Sequence, residues 1–279
     1  MDNDLSAEKK YVQNPALARN PAHSSKILLP VEEEFPMTMQ VGMVATNGIV
    51  LASDTLWQNG QSSQWASTRH SDHSTKLKVD KERGVAIACA RNLELAFAVA
   101  EKLLLEMEPD DWEWPENRAE AIARAVLKAA SERRREFQCT VAARIAKSDQ
   151  ESEYKLFQVH AGLMGPSVRC QSKNPVAVGG DTVNAAIFWS ERYYSSWHES
   201  RRSIDELIPL AAHIILSAGY LGRGAIGGLE IVRCDAQGVR HISTSSIGEL
   251  ILGTQKREQE IEDSIFSHRQ QFTYAPNVI

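Results

Sequence analysis

Apolar positions along the chain fall into short strand-like runs interrupted by two blocks of helical periodicity. Residues 40–44 and 48–53 read as two strands joined at Asn47-Gly48, a dipeptide that favours tight turns. A second pair follows at 76–80 and 84–89 around Lys81-Glu82-Arg83-Gly84. The spacing of Leu95, Ala98, Val99, Leu103 and Met107 predicts a helix over 93–107. Ala121, Ala125, Leu127 and Ala130 predict another over 118–137, with the proline-bearing stretch 108–115 as a helix-breaking loop between them. Strands are expected again at 139–146, 154–162, 167–170 and 176–179, then helices at 181–193 and 204–217. Ser203-Ile204-Asp205-Glu206 supplies a capping-type start for the second of these. Strands at 229–234 and 239–243 and a polar helix at 255–268 complete the pattern. Strand runs broken by paired helices imply a layered α+β domain.

Residues 1–37 lack sustained periodicity and are rich in Asn, Pro, Ala, Ser and charge, so they read as a flexible leader or propeptide. That divides the chain into 1–37, a domain at 38–252, and a C-terminal helix and tail at 253–279. The 279 residues carry a net charge of −5, which gives no electrostatic case for binding nucleic acid. Glu32-Glu33-Glu34 and Arg133-Arg134-Arg135 are short enough to be solvated surface. Cys89, Cys139, Cys170 and Cys234 form no CxxC pair, and at least three lie in strand-like surroundings that predict buried thiols. The amino terminus is polar, and no run of about 18 apolar residues could span a bilayer. The expectation is a cytoplasmic protein without a membrane partner.

The chemistry concentrates at the first two strands. Thr38 heads one strand, Asp54 closes the next, and Lys76 follows. A threonine hydroxyl is a poor nucleophile until a base removes its proton. An α-amine, with an ordinary pKa of roughly 7.7–8.0, is such a base near neutral pH. A Lys76 ammonium nearby would lower the amine's pKa, and Asp54 would hold that ammonium in place. All of this requires Thr38 to be an amino terminus, because an amide nitrogen is not a base.

Residues 38–89 resemble the start of a β-type subunit of the proteasome family, which includes HslV-like peptidases and proteasome-related bacterial proteins. The resemblance rests on Thr38-x-x-Val41-Gly42, Asn47-Gly48, Val50-Leu51-Ala52-Ser53-Asp54 and the Thr38–Asp54 interval of 54 − 38 = 16 residues. It implies the four-layer αββα sandwich of amino-terminal-nucleophile hydrolases. It also implies a threonine-type peptidase with Thr38, Asp54 and Lys76 as catalytic residues and no cofactor. By the same register the Cys89 backbone falls at the oxyanion hole. Trp57, Gln58, Ile87 and Arg91 fall at the substrate-binding positions. The implied partners are a peptide or unfolded-protein substrate, further copies of the chain in stacked rings, and an ATP-dependent unfoldase.

Several positions depart from the family pattern. Met37 stands where self-cleaving subunits carry glycine, a Met-Thr start of the HslV kind, yet 36 residues precede it. Either translation begins at Met37 or 1–37 is removed. A gapless alignment back from Gly84 places Thr75, not Lys76, at the lysine position. Cysteine replaces glycine at 89, and the family's supporting serine is missing from Gly179-Gly180-Asp181. The later aspartate–serine pair falls on Gly222 and Ala225. These losses favour one rival reading, an inactive ring-forming scaffold. The polar 55–75 segment with Trp57 suits another, an amidohydrolase of the same fold acting on a small amide. His70, Asp72 and His73 have a metal-like spacing, but a polar loop is the simpler reading.

Overall fold

The computed structural model describes residues 38–55, 75–130, 136–147, 151–162, 165–170, 176–180, 192–194, 202–221 and 227–267. Among them are ten strands, five helices and two antiparallel five-stranded sheets. The first sheet runs in the order β10-β9-β2-β1-β8, with β1 Met39–Ala45, β2 Gly48–Ser53, β8 Val176–Gly180, β9 Glu230–Asp235 and β10 Gly238–His241. The second runs β3-β4-β5-β6-β7, with β3 Leu77–Asp80, β4 Val85–Arg91, β5 Phe137–Ala146, β6 Ser152–Gly162 and β7 Gly165–Cys170. The helices are α1 Leu93–Glu106, α2 Pro109–Glu113, α3 Pro115–Ala129, α4 Ile204–Leu221 and α5 Thr244–Ser267. The predicted helix at 181–193 lies outside the described residues except at its last two positions.

Strand alternation sorts the core into three buried clusters. Val85, Ile87, Cys89, Cys139, Val141, Phe157 and Val159 pack with α1, α2 and α3. Met39, Val41, Met43, Val50 and Ala52 pack with Leu207, Ala211 and Ile215 of α4. The third cluster joins the two sheets: Ile49, Leu51 and Val232 of the first meet Leu77, Ala86, Ala88, Ala142 and Leu156 of the second.

Local chemistry fixes the joints. Gly48 takes φ 148°, and a Cβ there would stand 2.1 Å from the Cys234 carbonyl oxygen, so the hairpin turn needs glycine. Its neighbour Asn47 accepts the Ile204 N–H at 2.9 Å, which ties the β1–β2 turn to the start of α4. The predicted cap at Ser203 is present: Ser203 donates its N–H and hydroxyl to Glu206 at 2.8 and 3.0 Å.

Three elements differ from the sequence reading. The stretch 108–115 is not a plain loop but contains α2, because Pro109 and Pro115 occupy first-turn positions where a missing N–H costs nothing. The second predicted helix starts at Pro115 and stops at Ala129, and Phe137 instead opens β5 with its ring fully buried. The last helix begins at Thr244, where Ser243 accepts the Ser246 N–H at 3.2 Å, and not at Gln255.

Candidate active site

The site is assembled where the first strand pair meets the edge of the second sheet. In β1 the odd positions Met39, Val41 and Met43 face α4, while Val44 joins the inter-sheet cluster. A Cβ on Gly42 would meet Leu156 and Thr140 across the gap. The even positions therefore look between the sheets, and Thr38 stands at the head of that row.

Register brings Asp54 to it. The β1–β2 ladder pairs Gln40 with Ser53, and the next step sets Met39 against Asp54. These two exchange a pair of bonds: Met39 N–H donates to Asp54 Oδ1 at 2.9 Å, and Asp54 N–H donates to the Met39 carbonyl at 3.0 Å. The second carboxylate oxygen accepts from Lys76 Nζ at 2.8 Å. The same ammonium donates to Thr38 Oγ1 at 3.1 Å. Thr38 and Asp54 are fully buried and Lys76 is 1% exposed. Lysine thus sits at 76 in contact with both partners, although the interval from Asp54 is 22 residues.

Burial pushes the Lys76 ammonium below its ordinary pKa, more than the charge and hydrogen bond of Asp54 push it up. Among the described residues the hydroxyl it donates to is that of Thr38.

The remaining sequence-predicted residues are distributed differently. Cys89 N–H donates to the Lys76 carbonyl at 2.9 Å, so that amide anchors the lysine and could receive an oxyanion only by leaving this bond. Ile87 is fully buried in the cluster against the helices. Arg91 ends β4 at φ 66°, a left-handed conformation uncommon for a residue with a side chain, and pairs with Glu136 at 2.7 Å. Asn92 then caps α1 by accepting Leu95 N–H at 3.2 Å. Trp57, Gln58, His70, Asp72 and His73 lie outside the described residues, as do Gly222 and Ala225. Among the described residues no cluster of three or more His, Cys, Asp or Glu could hold a metal. Cys89, Cys139 and Cys234 are buried free thiols, as expected, and Cys170 is partly so. No described helix is long and apolar enough to cross a membrane.

One residue of this neighbourhood went unnoticed in the sequence. Gln40, two residues past Thr38 on the inward row, is fully buried, and neither end of its amide has a hydrogen-bond partner among the described residues. The signal was available: a glutamine stands where the alternation calls for an apolar side chain.

No family model matches the chain, and no curated protein matches it significantly. Among solved structures, Anbu (ancestral beta-subunit) from Yersinia bercovieri is similar with a TM-score of 0.61. The match covers 85% of this chain and 100% of that one at 15% identity. The likeness is one of fold. The relationship to β-type subunits read from residues 38–89 therefore holds at the level of architecture, an α+β fold shared with this ancestral beta-subunit.

Proposed function

We propose that the chain is a threonine-type peptidase with the four-layer sandwich of amino-terminal-nucleophile hydrolases. The observation that carries this reading is the buried triplet in which Lys76 Nζ bridges Thr38 Oγ1 at 3.1 Å and Asp54 Oδ2 at 2.8 Å. Once Thr38 is the amino terminus, its hydroxyl oxygen attacks the scissile carbonyl and its proton passes to the free α-amine. Lys76 donates a hydrogen bond to the oxygen that loses the proton, and Asp54 keeps the ammonium in line. The amine's proton then goes to the leaving amine, and a water, activated by the same amine, releases the acyl group from Thr38. The Cys89 amide remains the proposed oxyanion donor, which requires it to leave its 2.9 Å bond to the Lys76 carbonyl. Trp57, Gln58 and Arg91 remain the proposed substrate contacts, Ile87 being buried against the helices, and self-association into rings remains the proposed assembly.

The test is the intact mass of protein expressed from Met1 and, separately, from Met37, each with and without Thr38→Ala, together with turnover of peptide and small acyl-amide substrates. A free Thr38 with peptide turnover supports the reading. Turnover of small amides alone would transfer the same nucleophile to an amidohydrolase. Thr38 retained inside a longer chain in both forms would leave an inactive scaffold.

A further inference from the structure

The side chain of Gln40 is the strongest unexplained feature of the molecule. It carries two donors and an acceptor, it is 0% exposed, and no described group meets either end. Buried polar atoms in folded proteins are almost always satisfied, so such an amide marks the place of a further hydrogen-bonding group. Its position says where. Gln40 stands between Thr38 and Gly42 on the inward row of β1, and the Gly42 position abuts Thr140 of β5.

The surrounding hydroxyls are half-used. Thr140 Oγ1 accepts from Gln158 Nε2 at 3.3 Å and keeps its own hydrogen to give. Thr38 Oγ1 accepts from Lys76 and likewise keeps a hydrogen. Ser53, fully buried and opposite Gln40 in the ladder, gives its hydroxyl hydrogen to the Met39 and Asp54 carbonyls, and the rest of the layer is lined by Leu51, Leu77, Ala88 and Leu156. A group that both donates and accepts, is small enough for a packed interlayer and suits an amide flanked by hydroxyls is a single water molecule, which needs two to four such partners.

We propose that Gln40 anchors a buried water between the two sheets, linking its own amide to the Thr140–Gln158 pair. Gln40 is then a positioning residue for the nucleophile: it ties β1, the strand that Thr38 heads, to β5 and β6 two residues from the reacting hydroxyl. This deepens the threonine-peptidase reading, and its kinetic arm rests on that reading.

The experiment is diffraction at high resolution from wild-type protein, Gln40→Met and Thr140→Val, paired with thermal melts and peptide turnover of the Met37-start protein. Methionine matches the length of glutamine and lacks its polar ends. The expected result is a water within hydrogen-bond reach of the Gln40 amide in the wild type and its loss in both variants. Gln40→Met should melt roughly 2–4 °C lower, as loss of one modest interaction would give. Its kcat should fall about tenfold at unchanged KM, with a conservative Gln40→Asn change recovering part of it. No water at Gln40 in the wild type, or a Gln40→Met protein as stable as the wild type, would overturn the proposal. Wild-type protein that turns over no peptide would sink the peptidase reading instead, and the diffraction would still decide the water site.

Discussion

Lys76 Nζ lies 2.8 Å from Asp54 Oδ2 with neither side chain reaching solvent. Removing one member of such a pair strands the other's charge in the interior, which costs about 3–5 kcal/mol. Asp54→Ala should lose about that much in denaturant unfolding, since it also leaves Met39 N–H without its carboxylate. The double change Asp54→Leu with Lys76→Met leaves no buried charge and should be less destabilised than Asp54→Ala alone. A single change worth under about 1 kcal/mol would mean the pair is solvated in solution.

The pH dependence of that pair has a definite sign. Burial holds the Lys76 pKa in the folded chain below its ordinary 10.5. Between the two values the unfolded chain binds more protons than the folded one, so unfolding free energy rises with pH there. Wild-type protein should therefore gain stability relative to Lys76→Met as the pH climbs toward 10.5, and the difference should level off above it. A difference that shrinks over this range would show that Asp54 outweighs burial.

Thr38→Ala removes the only acceptor besides Asp54 that Lys76 touches among the described residues. The fold should survive, because the change leaves only a small gap at a strand head. In the Met37-start protein, peptide turnover should fall about 10⁴-fold or more, as expected when a nucleophile is deleted. Thr38→Ser should keep a measurable fraction. Equal turnover by Thr38→Ala and wild type would place the nucleophile elsewhere.

The strand pairs were legible because their alternation, turns and glycines agree with one another, and the Thr38–Asp54 step follows from that hairpin register. Lys76 was harder, since counting back from Gly84 points to Thr75. In the structure, Thr75 uses its hydroxyl on the Leu77 carbonyl at 2.8 Å, and Lys76 enters the interior. The prolines at 109 and 115 misled because a proline at a helix start and one that ends a helix look alike in sequence. Gln40 could be recognised as inward-facing, but only three-dimensional packing reveals that its amide lacks a partner among the described residues. The commitment of the Cys89 amide to Lys76 was likewise invisible, because it depends on which edge of β4 each N–H faces.

At Gly42 the two sheets approach closely beside the site. A Cβ there would lie 2.7 Å from Leu156 Cδ1 and 3.2 Å from Thr140 Cγ2. Gly42→Ala should cost about 1–3 kcal/mol as an overpacked core position. Adding Leu156→Ala removes the nearest atom, so the double change should be less destabilised than the sum of the singles. Simple additivity in chemical unfolding would indicate that the Leu156 side chain turns aside freely.

The contact between α4 and α5 supplies an acid-sensitive element remote from the nucleophile in sequence. His213 Nδ1 stands 3.5 Å from Glu258 Oε1, the same oxygen that accepts from Ser217 Oγ at 3.1 Å. Burial lowers the His213 pKa below 6.5; Glu258 raises it in part, and Arg257 lowers it further. The folded chain thus keeps the imidazole neutral at a pH where the unfolded chain already protonates it. Its stabilising contribution is complete above pH 6.5 and is lost as the pH falls through the folded value. Replacing His213 with Leu should remove this part of the acid sensitivity, so its stability should decline less between pH 7 and 5 than that of the wild type. Glu258→Gln takes away the group that favours the charged imidazole, which should lower the folded pKa further and carry the decline to lower pH. Urea unfolding of the three proteins across that range reads the slopes directly. Parallel slopes for wild type and His213→Leu would show that the imidazole reaches water and titrates alike in both states.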